Sequence, residues 1–210
     1  MFKIDMHLHT VLGGDSTIQP EEVVDQARRL GLHALCITEH HDHALSRPMD
    51  RIAVKEKFPI FRGLEYRAAE GHLLIYGVCA GKGDLLPGLP MQMVIDWVNQ
   101  KGGAAVAAHP YQDGLIGSAL GDRVLSLKGL VALETLNGSV PPEENQRACE
   151  AARRLGINGI GGSDAHGIQA LGSAYTCFNK AIRSAAELVT ALRDDTYFPQ
   201  SGFDKQCCIP

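Results

Sequence analysis

The stretch Phe2-Lys3-Ile4-Asp5-Met6-His7-Leu8-His9 combines the apolar residues of a buried strand with one acid and two histidines. Side chains alternate between the two faces of a strand, so we expect Asp5, His7 and His9 to project to one face. Two imidazoles about 6–7 Å apart along a strand can bind one divalent ion from the same side. The stretch therefore predicts a strand over residues 2–8 that ends at a metal site.

Two further clusters of histidine and acid have the same character. They are Thr38-Glu39-His40-His41-Asp42-His43 and Gly162-Ser163-Asp164-Ala165-His166. Asp164 and His166 are again two residues apart, which predicts that they share a face. Together the clusters indicate a hydrolytic metal centre.

Strand-like and helix-like segments alternate along the chain. Apolar runs predict strands over residues 2–8, 34–38, 60–64, 73–78, 104–108 and 130–135, another that ends at Gly161, and one over 174–178. Helical periodicity predicts helices over residues 20–30, 91–100, 143–155 and 185–193. This alternation is typical of a parallel sheet with crossover helices, and it places the chain in the α/β class. With 210 residues, a single domain over residues 1–210 is the simplest interpretation.

The polar clusters stand where the predicted strands end. In chain order the residues at these ends are His7 and His9, Glu39 and His40, Glu65, His109, and Asp164 with His166. The carboxyl ends of the strands form the active-site face of a parallel barrel. We therefore expect segments that are distant in sequence to converge at one edge of the sheet.

Nine side chains are candidate metal ligands: His7, His9, Asp15, His40, Glu65, His72, His109, Asp164 and His166. Imidazole and carboxylate groups favour zinc, manganese or iron, whereas calcium prefers a shell of oxygen atoms. The set exceeds the need of one ion and suits two or three divalent ions, with Glu65 as a candidate bridge. Such a pocket stays cationic and should attract an anion, of which phosphate is the obvious class.

Several of these residues also have a purely structural interpretation. His72 follows Glu70-Gly71 and could cap a hairpin, and His109 could simply end a strand. Glu39 and Asp5 could be ligands, but we expect them to orient the imidazoles of ligands.

Outside the ligand set, the sequence offers candidates for substrate contacts. His33, His41 and His43 are expected at the surface or the rim, and His43 is the one among them expected to touch substrate. Arg47 and Arg67 are candidate phosphate contacts because a guanidinium matches phosphate oxygens, and solvated surface arginines are the alternative. Asn137, soon after the sixth strand, is a further candidate for a contact with substrate or phosphate.

The composition limits the classes of partner that the protein is expected to bind. The formal net charge is −4, and no basic run suggests binding to long nucleic acids or to an anionic membrane. No apolar run approaches membrane-spanning length and no signal-peptide pattern is present, so we expect a cytoplasmic protein with free thiols. The last residues, Cys207-Cys208-Ile209-Pro210, fit a prenylation box only formally, and we do not expect lipidation.

The motifs closely resemble those of the PHP family, the polymerase-and-histidinol-phosphatase domain. The matching stretches are Asp5-Met6-His7-Leu8-His9-Thr10, Ile37-Thr38-Glu39-His40, Gly63-Leu64-Glu65, His72-Leu73-Leu74, His109-Pro110 and Gly162-Ser163-Asp164-Ala165-His166. They occur in family order across essentially the whole chain. The resemblance implies a distorted (β/α)7 barrel, similar to a TIM barrel, and a centre of two or three metal ions.

Applied residue by residue, the resemblance implies that each of the nine candidates is a metal ligand and that Glu65 bridges two ions. One departure is Glu39, because the family usually has aspartate before this histidine. The chain is short for the family and leaves little room for a cap between Tyr111 and Ser163. We therefore expect an open pocket and a small substrate.

The leading hypothesis is metal-dependent hydrolysis of a small phosphorylated metabolite or nucleotide, with Asp15, Glu65 and His166 as the residues that carry the reaction. One alternative is phosphodiesterase or exonuclease-like activity on short nucleic acids. Another is a non-catalytic, metal-stabilised interaction module. Amide hydrolysis is disfavoured because no lysine stands where a carbamylated bridging ligand would be expected.

Overall fold

The computed structural model describes residues 1–113, 120–194 and 197–202, and these contain a sheet of nine strands. The strands are β1 (Phe2–Leu8), β2 (Ala34–Ile37), β3 (Ile60–Arg67), β4 (His72–Tyr76), β5 (Ala104–Ala107), β6 (Ala132–Asn137), β7 (Asn158–Gly162), β8 (Ala174–Phe178) and β9 (Tyr197–Ser201). The α-helices are α1 (Val23–Arg29), α2 (Met49–Glu56), α3 (Met91–Gln100), α4 (Pro142–Leu155) and α5 (Ala185–Arg193). Short 3₁₀ helices cover Gly121–Ser126 and Ile168–Ala170.

The sheet has the strand order β7-β6-β5-β4-β3-β2-β1-β8-β9. Parallel pairing joins β1 to β2, β2 to β3, β5 to β6 and β6 to β7. In contrast, β4 is antiparallel to both of its neighbours, and β8 is antiparallel to β1 and β9. The expectation of a parallel sheet is therefore correct for β1 to β3 and for β5 to β7, and wrong at β4 and β8. Strand β4 is antiparallel because β3 returns directly into it through a tight turn without a crossover helix.

The sheet curves until its first and seventh strands meet, so the expected α/β barrel is confirmed. The backbone N–H of Asp164 donates to the carbonyl of His7 at 2.7 Å, and the N–H of His9 donates to the carbonyl of Ala165 at 3.1 Å. Leu8 and Ala165 form a parallel bridge at the same place. Strands β1 to β7 thus enclose the barrel, and β8 and β9 extend the sheet beyond β1.

Closure needs a glycine at the end of β7. A Cβ atom on Gly162 would lie 2.5 Å from the Cβ of His7 and 2.8 Å from its backbone nitrogen. Distances below about 3 Å between such atoms are not tolerated in a packed interior. The absence of a side chain at Gly162 therefore lets the first and the last of the predicted metal-binding segments approach each other.

One apolar cluster fills the barrel. It takes alternate residues from the strands, including Ile4, Cys36, Leu74 and Val106, and the apolar face of α5 joins it. Two outer clusters pack α1 against β2 and the helices α3 and α4 against the strands from β3 to β6. The strands are therefore covered on both faces, which explains why their sequences are apolar runs and not alternating patterns.

The predicted common face of Asp5, His7 and His9 is wrong for Asp5. The pairing of β1 with β2 shifts register between Asp5 and Leu8, so the residues on either side of the irregularity change faces. Asp5 is fully buried, and its carboxylate accepts the backbone N–H groups of Ser163, Gly172 and His7 at 2.9, 2.9 and 3.3 Å. It therefore holds backbone around the closure instead of orienting an imidazole.

Most of the predicted elements are present, with two omissions. The predicted helix over 20–30 begins only at Val23, whereas the predicted helices over 91–100 and 185–193 agree with α3 and α5. The sequence did not predict α2, of which only Met49 is buried, or β9, which contains a proline at an edge position. In the described part of the chain no helix has both the length and the apolar content that a membrane span requires. Cys207 and Cys208 lie outside the described residues.

Replacing Asp5 by asparagine should destabilise the barrel by about 1–3 kcal/mol, because the new NH₂ group would face a backbone N–H at a buried position. Burial raises the pKa of Asp5 to about 6, even though three backbone N–H groups stabilise its charged form. Urea denaturation in the presence of a chelator would measure the change. Asp25→Asn, on the exposed face of α1, is the control and should change the stability by less than about 0.5 kcal/mol. Equal stabilities for the two variants would contradict the role of Asp5 in closure.

Candidate metal centre

The structure brings together all nine predicted ligands in overlapping groups at one end of the barrel. Most come from the carboxyl ends of parallel strands or from the loops that follow them. His72 is the first residue of β4, but β4 runs antiparallel, so its beginning lies at this same end. His72 therefore caps the hairpin and also faces the other ligands, which reconciles its two interpretations.

His7 and His9 form the innermost group with two carboxylates. The Nε2 atoms of the two imidazoles are 3.2 Å apart. Glu65 Oε2 lies 3.3 Å from His7 Nε2 and 3.1 Å from His9 Nε2, and Asp164 Oδ1 lies 3.4 and 3.5 Å from the same atoms. Two imidazole nitrogens and two carboxylate oxygens thus point at one small region, which matches the four-ligand set of a zinc-like ion.

Glu65 links this group to a second one through its two oxygen atoms. Its Oε1 lies 2.7 Å from His72 Nδ1 and 3.0 Å from His109 Nε2. Its Oε2 faces His7 and His9, and also His40 Nδ1 at 3.4 Å. A carboxylate with histidines at both oxygens can bridge two ions, as the sequence suggested.

A third group lies nearer to solvent. Asp15 Oδ2 is 3.1 Å from His40 Nε2 and 3.5 Å from His166 Nε2, and the exposed fractions of the three side chains are 37%, 30% and 41%. The ring of His9 stacks between those of His40 and His166, with centroids 4.7 and 4.4 Å away. This group therefore forms the open side of the centre, where a ligand can enter.

The buried acids make this region favourable for positive charge. Burial opposes protonation of His7, but Asp164, Glu134 and Glu65 nevertheless raise the pKa of His7 well above its usual value. Burial likewise opposes protonation of His9, and Asp164 and Glu65 raise the pKa of His9 to about 9. Burial would favour the neutral form of Glu65, but His7, His109 and His72 lower the pKa of Glu65 well below its usual range. The same field that favours protonated imidazoles favours a divalent cation.

Glu134 is the main contributor that the sequence analysis missed. It is fully buried in β6, and its Oε1 lies 2.9 Å from His7 Nδ1. Its Oε2 accepts the backbone N–H of His109 at 2.8 Å. A carboxylate at Nδ1 keeps the proton of neutral His7 on that nitrogen and leaves the Nε2 lone pair free to bind metal. The available signal was a single charged residue within a buried strand.

Glu39 is a further carboxylate close to a predicted ligand, His9. It accepts hydrogen bonds from the backbone and the hydroxyl of Thr10, and its Oε2 lies 3.9 Å from His9 Nδ1. That distance is too long for a hydrogen bond, so Glu39 acts on His9 through its charge. Glutamate instead of aspartate before His40 is therefore accommodated by Thr10.

Strained backbone is concentrated at this centre. Three of the residues other than glycine with positive φ are His41 at 61°, His109 at 24° and Asp164 at 52°. Such conformations cost about 1–3 kcal/mol each and persist where the surrounding contacts hold them. The hydrogen bonds of the backbone at His109 and Asp164, to Glu134 and to His7, supply those contacts.

The predicted substrate contacts fall in different places. Arg67 is exposed at the end of β3, paired with His72 across the hairpin, and Arg47 is exposed in the turn before α2. The substrate contacts predicted for both arginines stay predictions. Asn137 is buried, and its amide donates to Glu134 at 3.0 Å and to Asp164 at 3.2 Å, so it holds two carboxylates of the centre. His43 does not join the ligand groups, and it contacts Arg62 and Cys79.

His41 is closer to the centre than its predicted place at the surface or rim suggests. It is half-buried between the ring of His40 and the edge of Tyr66, with centroids 6.0 and 5.9 Å away. Its Nδ1 is buried and has no hydrogen-bond partner within the described part of the chain. A polar atom in this state is available to a ligand.

Comparison with known proteins gives the same assignment. The model of the PHP domain matches residues 5–98, and the model described as PHP-associated matches residues 142–197. The chain belongs to the PHP family.

Individual relatives of this PHP chain are distant. An uncharacterized protein of Methanocaldococcus jannaschii is 27% identical over 135 residues, which cover 60% of this chain and 76% of that protein. A Thermotoga maritima protein named "Probable histidinol-phosphatase" is 31% identical over 55 residues, or 26% of this chain and 24% of that protein. A two-domain protein of Bacteroides vulgatus, described as containing a predicted PHP-like metal-dependent phosphoesterase, superimposes with a TM-score of 0.72 at 20% identity, over 95% of this chain and 64% of that one.

Replacing Glu134 by glutamine should weaken metal binding by about 10–100-fold, because His7 would lose the carboxylate that fixes its ligating tautomer. Metal titration by calorimetry, with circular dichroism to verify folding, would measure the effect. Glu150→Gln, at an exposed position of α4, is the matched control and should bind metal like the unmodified protein. Equal affinities for the two variants would contradict the assignment of Glu134.

Proposed function

We propose that this PHP protein is a phosphoesterase that hydrolyses a small phosphorylated metabolite or nucleotide with two or three bound divalent ions. The observation that carries the proposal is the position of Glu65, whose two oxygens face two different sets of histidines. A carboxylate in this position would hold two ions close together, and such a pair would supply the charge that stabilises the attacking and leaving oxygens of phosphate hydrolysis.

The donor set supports zinc, manganese or iron as the ions. The inner residues His7, His9, Glu65 and Asp164 offer two nitrogens and two oxygens, and the other groups have a similar mixture. Bound ions of this kind polarise phosphate oxygens and lower the pKa of a bound water to about 7. The residues of the chain must then place the substrate and move the proton.

We assign the proton transfer to Asp15 and His166 on the open side. Both are partly exposed, so whichever of them does not hold an ion can take a proton from substrate or water and pass it to solvent. Glu65, which is almost fully buried, would instead hold the ions in place. Arg67, exposed as the last residue of β3, and Arg47, exposed in the turn before α2, are the candidate contacts for phosphate oxygens.

The shape of the centre favours a small substrate. The group of Asp15, His40 and His166 is open to solvent, and the net charge of −4 opposes long nucleic acids. The names of the Thermotoga maritima and Bacteroides vulgatus relatives are consistent with a phosphatase or phosphoesterase.

The purified protein loaded with manganese or zinc should release inorganic phosphate from at least one monoester in a panel of sugar phosphates, amino-alcohol phosphates and nucleotides. Chelation should abolish the release. Hydrolysis of bis-p-nitrophenyl phosphate without monoester hydrolysis would favour a phosphodiesterase. A fully loaded protein that hydrolyses no phosphate ester would contradict the proposal and favour a metal-stabilised interaction module.

Replacing Glu65 by glutamine should lower phosphate release by at least about 100-fold, because the amide cannot bridge two ions. The expected cause is a loss of metal, so elemental analysis should show fewer ions per chain than in the unmodified protein. Glu143→Gln, at the exposed start of α4, is the control for the loss of one carboxylate. Full activity of Glu65→Gln with a full metal content would rule out the bridge.

A further inference from the structure

A cavity of about 560 Å³ lies between the beginning of β3 and the residues that follow β4. The residues that line it, within the described ranges, include none of the predicted metal ligands. Its polar wall contains His43, Arg62 and Cys79. The cavity is therefore a separate feature, and it explains where His43 is placed.

A chain of contacts runs along this wall to the thiol of Cys79. Asp50 Oδ1 accepts from Arg62 Nε at 2.9 Å. Arg62 Nη1 donates to the carbonyl of His43 at 3.1 Å and lies 3.4 Å from His43 Nδ1. His43 Nε2 in turn lies 4.0 Å from Cys79 Sγ. Asp50 thus fixes Arg62, and Arg62 fixes the imidazole beside the thiol.

The contacts also determine where His43 carries its proton. A guanidinium group has donors only, so Arg62 requires His43 Nδ1 to accept. Burial and the charge of Arg62 lower the pKa of His43, which favours the neutral ring. The neutral ring must then carry its proton on Nε2, the nitrogen that faces Cys79. This N–H can donate to the sulfur of Cys79.

The cavity is positively charged around this thiol. The charged residues that line it are Asp50, Lys57, Arg62 and Arg183, which amount to three bases and one acid. An anionic molecule is therefore attracted to the wall that presents Cys79.

Cys79 also differs from the other cysteines in the described part of the chain. It is exposed, whereas Cys36 and Cys177 are buried and Cys149 is partly covered, with its thiol directed at the carbonyl of Thr135. Reactive cysteines are accessible and lie in positive surroundings, and buried ones are inert. Access and charge together select Cys79.

We propose that Cys79 is a thiol-modification site that forms a mixed disulfide with small anionic disulfides of the glutathione type. The thiol releases its proton to solvent, and the resulting thiolate attacks one sulfur of the disulfide. A new bond forms between Cys79 Sγ and that sulfur while the original S–S bond breaks. The second half leaves as a thiolate and takes up a proton from water. The sulfur of Cys79 is oxidised and the departing thiol is reduced, so the incoming disulfide is the oxidant.

The experiment uses the full chain with Cys207→Ser and Cys208→Ser, so that these two thiols cannot react. The protein is incubated at pH 7 with oxidised glutathione, which is anionic, or with 2-hydroxyethyl disulfide, which is neutral. Intact mass gives the rates, and peptide mapping gives the position. We expect one adduct per chain at Cys79, formed about tenfold faster than at an unstructured reference cysteine, and no adduct after Cys79→Ser. Modification at other cysteines instead, or at Cys79 no faster than the reference, would overturn the proposal.

Charge reversal tests the recognition of the anion. Arg183→Glu should lower the ratio of the glutathione rate to the neutral rate by about threefold or more, because it places a negative charge at the cavity. Arg153→Glu makes the same change at an exposed position outside this cavity and should leave the ratio unchanged. Equal ratios for the two variants would refute an anion-selective site.

A change at His43 tests the hydrogen bond to sulfur. His43→Gln should slow both disulfides about tenfold without altering their ratio, since the donor to the thiolate is displaced. Circular dichroism verifies folding. If that variant does not fold, Asp50→Asn, at a half-exposed carboxylate, releases Arg62 and should slow both reactions in the same way. Unchanged rates in the folded variant would exclude a role for His43.

Discussion

Glu65 keeps a negative charge at a place from which water is almost completely excluded, and five histidines surround it. His7, His9, His40, His72 and His109 all place a ring nitrogen within 3.4 Å of its oxygens. An isolated buried carboxylate would lose several kcal/mol of hydration, so it is stable only when positive partners accompany it. The metal-binding end of the barrel is therefore a set of mutually dependent charges, and its members must arrive together when the chain folds.

The assembly of these charged residues depends on the closure of the barrel between β1 and the segment after β7. Gly162 permits the approach, and the backbone of Asp164 bonds to the carbonyl of His7. The carboxylate of Asp5 accepts hydrogen bonds from three backbone N–H groups near the same junction. The left-handed conformations at Asp164 and His109 are held in place by this arrangement. Closure thus supplies the free energy that keeps the ligands in conformations that an isolated loop would not adopt.

One short segment contributes histidines to two different chemical environments. His40 faces Glu65 and Asp15, whereas His43, three residues later, faces Arg62 and Cys79. Arg62, near the beginning of β3, and Glu65, in the same strand, likewise belong to different sites. A strand that contributes side chains at successive heights along the barrel wall can separate an acidic, metal-binding end from a basic cavity lower down.

The sequence by itself determined the class of fold, most element positions and the full set of predicted ligands. It could do so because apolar runs mark buried strands and because chemically reactive residues stand where such runs stop. Only the tertiary structure showed which residues contact the predicted ligands from the side away from the metal site. Glu134, within an apolar strand, and the backbone role of Asp5 depend on register, and a shift of one residue reverses the face that a side chain occupies. The parallel direction predicted for β4 was wrong, and the short segment between the predicted strands 60–64 and 73–78 was a sign of a hairpin, because a crossover between parallel strands needs a dozen or more residues. The environment of His43 came from contacts between segments that no spacing encodes, since the pairing of β3 with β2 and β4 brings Arg62 and Cys79 to it.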